Sequence, residues 1–389
     1  MTNANELARS VKDYVIQYRR TVHQHPELSM KEFKTTDRIC EELDKMGVSY
    51  KRMEPTGVLA EIKGGKGAGK TVLLRGDIDA LPIQEDTGLP FSSENDGCMH
   101  ACGHDTHNAI LMGAVKCINE IKDSFAGTVK FIFQPAEETG EGARAMIKQG
   151  VLEGVDYMFG THISSALKSG QIATIDGAMH ASAFWFKIKV TGHQAHGADP
   201  VHGIDAAVAG SAVVMALQDM VAREYDPFAP MVVTVGDIQC PGRFNIIPGE
   251  YRMEGTIRTF SREINKTLEA TLNRIAGSVA QAYRCKADVE IHEVAEVNIN
   301  DHDAYVIGRA AAEKVAPGHV EKAVPTMGGE DFAYYTPYVK TCFFTLGAEL
   351  PDKDGNVYSH HTPKVLFDEN ALETGVALYV QCALDGLGA

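Results

Sequence analysis

The sequence has few long apolar stretches. Runs such as Val72–Leu74 and Phe131–Phe133 end after a few residues, whereas a membrane-spanning helix needs about 20. Positive charge is also in the minority: 37 Lys and Arg face 52 Asp and Glu, for a net charge of −15. Nucleic acid and anionic membranes both require clustered basic residues, so neither is an expected partner. The polar segment MTNANELARSVKDY lacks the apolar stretch of a secretory signal, and LDGLGA carries no anchor motif. The expected location is therefore the cytoplasm. The eight cysteines, Cys40, Cys98, Cys102, Cys117, Cys240, Cys285, Cys342 and Cys382, are scattered. No disulfide framework is expected of them, and most, lying among apolar neighbours, should be small buried hydrophobes.

A chain of 389 residues exceeds one ordinary core and suggests two domains or three. Leu7, Val11, Val15 and Ile16 recur at helical spacing, so a helix is expected over 5–21, broken at Pro26. A second helix is expected over 31–46, ending near Gly47. The β-rich runs GVLAEIKG, TVLLRGD and GTVKFIFQP follow, with helices at 105–122 and 142–149. This alternation predicts an α/β domain with a mostly parallel central sheet. Near residue 180 the pattern changes. AFWFKIKVTG alternates as a half-buried strand, followed by a helix at 203–222, the strands MVVTVGDIQC and GEYRMEGTIRTF, a helix at 262–283 and the strand KADVEIHEV. That order predicts an inserted α+β ferredoxin-like domain over 181–294. Residues 1–180 and 295–389 would then form one discontinuous catalytic domain.

The densest chemistry lies in CMHACGHDTH, residues 98–107. Cys102, His104 and His107 are good donors for a borderline divalent metal, set where a polar loop meets an apolar helix. In FIFQPAEETGEGA a strand ends at Pro135 and two carboxylates follow, Glu137 and Glu138. Adjacent side chains in extended chain point different ways, so one can bind metal while the other serves as a base. The competing reading is an acidic helix start. His162 closes the run VDYMFGTHI, His360 and His361 precede a proline, and Asp77 and Asp79 follow the strand TVLLR. A lone histidine at a strand end is more often structural. In a parallel sheet, however, the carboxyl ends of the strands meet at one crevice, to which TVLLRGD, KFIFQPAEE and MFGTHI would all deliver polar residues.

With these motifs in view, the chain resembles the aminoacylase, hippurate hydrolase and indoleacetyl-amino-acid hydrolase group of two-metal metallopeptidases. The resemblance runs nearly end to end, through RRTVHQHPELSMKE, RGDIDALPI, MHACGHDTH, QPAEETGEGA, GTHI, TGHQAHGADPVHGID, FNIIPGEYRMEGTIRTF, MGGEDFAYY and HHTPK. It implies five metal ligands, Cys102, His104, Glu138, His162 and His361, holding two divalent ions per subunit. Zinc or manganese is expected, with cobalt or nickel able to serve. It implies Glu137 as general base and acid, Asp79 as support for a ligand, and His107 as structural. His361 is preferred to His360 because it directly precedes Thr-Pro. The inserted domain would be a lid and homodimer interface. From it His196 would reach the partner subunit's site to steady an oxyanion. Asn245 and Arg258 would hold a substrate carboxylate, and the Gly328–Gly329 turn would lie against the substrate. The chain departs from the family pattern at Gln194–Gly197, His193, Thr139, Glu141 and MGGEDF, which bears on substrate choice rather than on chemistry.

The implied activity is hydrolysis of a small N-acyl amino acid, with Glu137 moving the proton. Three other readings stand beside it: a dipeptidase or aminopeptidase with the same metals, a cysteine hydrolase using Cys102 with His104 or His107, and a non-catalytic metal-binding protein.

Overall fold

Neighbouring residues of the run TVLLRGD enter different cores. Val72 and Leu74 join one buried cluster, with Phe131, Phe133 and Phe344, while Leu73 joins another with Ile132, Met158 and Phe343. Successive strand side chains point to opposite faces, so this sheet is covered on both, as continuous apolar strand sequences require. The computed structural model describes residues 3–388. By its internal contacts the chain forms two units. The first comprises the chain up to Met179, Ile299–Val324 and Asp331 onward; the second comprises His180–Asn298 with Pro325–Glu330. The second unit therefore extends past residue 294 and takes in the short loop that carries Gly328 and Gly329.

The first unit holds an eight-stranded sheet. In spatial order its strands are Ser49–Arg52, Val58–Lys63, Thr128–Gln134, Thr71–Asp77, Tyr157–Ser164, Lys340–Gly347, Ile172–Thr174 and Val320–Lys322. The four central strands are mutually parallel, with Asp77 in register with Gln134. Antiparallel pairings occur toward the edges. The helices His104–Glu120 and Ala371–Leu387 are buried along almost their whole length. The expected first helix is two, Ala4–Ser10 and Lys12–Gln24, with the break at Val11. The helix Phe33–Met46 stops at Gly47, whose φ of 64° places it in the left-handed region that glycine enters without a side-chain penalty.

The second unit has a four-stranded antiparallel sheet in the order Met231–Gln239, Glu250–Thr259, Ser182–Thr191, Lys286–Ala295. The helices Ala206–Arg223 and Leu268–Ala282 contribute Val213, Leu217, Leu272 and Ala276 to its core, with Phe186, Ile188 and Met253 from the strands. The expected helix at 262–283 is interrupted, as Arg262–Asn265 and Leu268–Ala282. Contrary to the impression from short apolar runs, Ala206–Arg223 is long and apolar enough to cross a membrane. It buries Ala209, Val213, Leu217 and Met220 within this unit. All eight cysteines are free; seven are buried and Cys240 is exposed.

Candidate metal centre

Three of the central strands deliver donors from their carboxyl ends. Thr71–Asp77 leads into Asp79, Thr128–Gln134 leads into Glu137 and Glu138, and Tyr157–Ser164 carries His162. The helix starting at His104 supplies that residue and, just before it, Cys102. Gly103 makes this junction possible: its φ is 88°, and a Cβ there would meet Ile163 at 2.5 Å. Gly142 has a similar role after the acidic turn, where a Cβ would stand 1.7 Å from the Pro135 carbonyl oxygen.

Cys102 belongs to two donor groups, one with His104 and His162 and one with Glu138 and His361. In each group the ligating atoms all lie within 4.8 Å of one another. Its Sγ is 3.3 Å from His162 Nε2 and 3.2 Å from His361 Nε2. His361 Nε2 is also 3.4 Å from Glu138 Oε1. Glu137 stands alongside, with its Oε2 3.9 Å from His104 Nε2 and its Oε1 accepting the Asp331 N–H at 3.3 Å. The expected ligands and base therefore meet within this unit, together with Asp79.

These donors fit a divalent metal pair. His104 Nε2 is buried without a hydrogen-bond partner, which is unfavourable unless something else engages it. Thiolate, imidazole and carboxylate together suit zinc-like ions. The His162 Nδ1–H donates to the Ile163 carbonyl at 2.6 Å, leaving Nε2 as the donor facing Cys102. Burial, with His107 and His360 nearby, holds the His162 pKa well below its usual value, so this ring is neutral, as a ligand must be. Burial pushes the Cys102 thiol well up, against the opposing pull of His104.

The neighbouring histidines are differently engaged. His107 places Nδ1 2.6 Å from Asp77 Oδ1, and its Nε2 accepts the Ile163 N–H at 2.7 Å. His360 Nδ1–H donates to the Cys102 carbonyl and its Nε2 accepts the Ser165 N–H, both at 3.2 Å. Both rings brace backbone that carries donors. Beneath them Arg75 bridges Asp77 at 2.6 Å and Asp331 at 2.7 Å in a fully buried network. Burial opposes the charge on Asp77, but Arg75, His104 and His107 outweigh it and hold that carboxyl well below its usual range. Backbone strain also gathers here. His361 has φ 62° and Ala136, just before Glu137, has φ 54°, conformations that each cost on the order of 1–3 kcal/mol outside glycine.

The remaining expected residues lie in the second unit. His196 pairs with Ile246, and the Gly197 N–H donates to the Asn245 carbonyl at 2.8 Å, which brings His196 and Asn245 together. His196 is exposed, and its Nδ1 accepts the Ala198 N–H at 3.1 Å, so the ring proton is on Nε2. Arg258 is on the strand Glu250–Thr259, opposite Ala183 and Val232. Burial lowers its pKa. Gly328 and Gly329 lie in the Pro325–Glu330 loop. Glu32, which closes the motif RRTVHQHPELSMKE and has no role legible in the sequence, accepts the N–H of Ala136 beside Glu137 at 2.9 Å.

The model for peptidase family M20/M25/M40 matches residues 73–385. Thermostable carboxypeptidase 1 of Saccharolobus solfataricus is 37% identical over 97% of this chain and 96% of its own length. N-acetyl-L-cysteine deacetylase of Bacillus subtilis is 37% identical over 93% of this chain and 86% of its own. The solved YXEP protein of Bacillus subtilis, a dinuclear metal binding peptidase of the M20 family, superposes with a TM-score of 0.85 at 34% identity, covering 98% of this chain and 99% of that one. Donors that converge at the strand ends and a family match over most of the chain lead to one conclusion: this protein belongs to peptidase family M20/M25/M40.

Proposed function

We propose that this chain is a metal-dependent amidohydrolase that cleaves N-acyl amino acids, with an acetyl, benzoyl or similar acyl group, to a carboxylic acid and an amino acid. The observation that carries this reading is Cys102 shared by two three-donor groups, with the carboxylate of Glu137 beside them. Cys102, His104 and His162 would hold one ion, and Cys102, Glu138 and His361 the other. Zinc or manganese suits these donors, and cobalt or nickel would also serve. When bound, the ions supply Lewis-acid activation of water and of the amide carbonyl.

The chain's own residues do the rest. Glu137 accepts the proton of the attacking water and returns one to the leaving nitrogen as the carbon–nitrogen bond breaks. Asp79 fixes the His104 ring. In this reading the second unit is a lid and a homodimer interface. His196 from a partner subunit donates its Nε2–H to the developing oxyanion. No side-chain hydrogen bond or ion pair engages Arg258 among the described residues. A half-buried guanidinium left in this way suits a substrate carboxylate, gripped together with Asn245 while the Gly328–Gly329 turn lies against the substrate. A cytoplasmic location completes the proposal.

The Bacillus relative's name, a deacetylase of an N-acetyl amino acid, supports this substrate class. The Saccharolobus relative's name, a carboxypeptidase, favours peptides as a second reading. A panel of N-acetyl, N-benzoyl and N-indoleacetyl amino acids beside free dipeptides, run after chelation and again after metal reconstitution, tests the proposal. Metal-dependent cleavage of the acylated compounds is expected. Cleavage of free dipeptides alone would favour the peptidase reading, and turnover that survives chelation would overturn both.

A further inference from the structure

Glu32 is 0% exposed and belongs to none of the donor groups. Its Oε1 accepts two backbone N–H groups, from Met30 at 3.0 Å and from Ala136 at 2.9 Å. Its Oε2 accepts the Thr56 hydroxyl at 2.6 Å. The two N–H donors share an unusual property: Met30 has φ 61° and Ala136 has φ 54°. Non-glycine residues occupy that region only where the surroundings hold them there. Ala136 immediately precedes Glu137 and Glu138.

A second contact runs from the same segment to the same turn. The Ser29 hydroxyl donates to Asp79 Oδ2 at 2.7 Å, and that oxygen also accepts the Glu138 N–H at 3.1 Å. The chain from Ser29 to Glu32 thus grips the acidic turn on both sides, through Asp79 and through Ala136. Released from Glu32, Ala136 would lose a hydrogen bond that offsets its strain, and a return to ordinary φ would redirect the two side chains that follow.

We propose that Glu32 is a positioning residue for amide hydrolysis: by holding Ala136 in the left-handed conformation it sets the direction in which Glu137 and Glu138 project. This rests on the reading of Glu137 as proton carrier. Glutamine should replace Glu32 well, because its carbonyl oxygen can accept both N–H groups while its amide donates to the Thr56 hydroxyl. Alanine cannot.

The test compares E32A, E32Q, the double variant E32A/A136G and E137Q, all metal-loaded, on an N-acyl amino acid that the wild-type enzyme cleaves. E32A should lose about ten- to hundredfold in kcat, with KM changed by less than about threefold, because misplacement of a reacting group acts on the chemical step. E32Q should stay within about threefold of wild type. Adding A136G should recover about half or more of the logarithmic loss in kcat, since glycine occupies the left-handed region freely. A purely structural role for Glu32 would give no such recovery. Should E32A fail to fold, E32D carries the same test, because it withdraws the carboxylate by one methylene and should show the same loss and recovery. Unchanged kcat in the alanine or aspartate variant, or a loss that A136G does not relieve, overturns the proposal. Near-normal turnover by E137Q would instead remove the reading beneath it.

Discussion

His104 Nδ1 lies 3.0 Å from Asp79 Oδ1 and 2.9 Å from the Asp79 carbonyl oxygen. Both are acceptors, so Nδ1 carries a ring proton and Nε2 is the nitrogen turned toward the cluster. Asp79 therefore selects the tautomer that can bind metal. Through its other oxygen it also holds the Glu138 N–H. One carboxylate orients two of the proposed ligands without joining them.

Asp79→Asn should weaken metal affinity by about 10- to 100-fold, the usual effect of losing a carboxylate behind a ligating histidine. The charge that favours Nδ1–H is gone, and one side of the amide can no longer accept from Ser29 and Glu138. A competition titration with a chromophoric chelator measures the change. Affinity equal to wild type would show that the ring needs no such support.

His107 should behave differently from His104, although both belong to CMHACGHDTH. Its two nitrogens are occupied by Asp77 and the Ile163 N–H. His107→Ala should keep the full metal content and lose about 1–3 kcal/mol of stability, because two buried groups lose a partner. His104→Ala should lose metal. Metal analysis of the two purified variants, with thermal melts, checks the contrast.

The difference between these two histidines marks the limit of what residue spacing reveals. The donors themselves were legible, because they stand in short motifs at the ends of apolar strand runs, where a parallel sheet gathers its polar residues. Nothing in the spacing of His104 and His107 says which ring keeps a nitrogen for the cluster and which has both engaged. That depends on where Ile163 presents its N–H, from a strand 56 residues away. Glu32 was hidden for the same reason. An acid before the helix Phe33–Met46 looks like a solvated helix start, and only Ala136, 104 residues on and just past the strand Thr128–Gln134, engages it. The interruptions at Val11 and after Asn265 escaped notice because apolar periodicity runs through them. In the second unit the strands were legible from alternation, as in Phe184–Thr191, where every second residue is buried.

Stability should fall on the alkaline side partly through His23. Burial disfavours its charged form, but Asp105 at 2.9 Å and Glu85 at 3.2 Å outweigh this and raise its pKa from 6.5 to about 9. A raised pKa means that the folded state favours the proton. The contribution is therefore complete below pH 6.5 and lost as pH rises through about 9. Glu85 behaves oppositely: burial would raise it, yet bonding to His23 takes it from 4.5 to about 2, so its contribution is complete above pH 4.5 and lost as pH falls through about 2. The stability difference between wild type and His23→Gln should shrink between pH 6.5 and 9. Denaturant midpoints across that range measure it, and a constant difference would show that His23 does not hold its proton in the folded state.

The most direct measurement is metal content and affinity in wild type and Cys102→Ser, after removal of metal and titration with zinc. With Cys102 shared between both donor groups, wild type should bind two ions per subunit, and the serine variant should lose affinity at both positions together, along with amide hydrolysis. Retention of either ion with wild-type affinity, or hydrolysis by metal-free protein, would contradict a centre built around that sulfur.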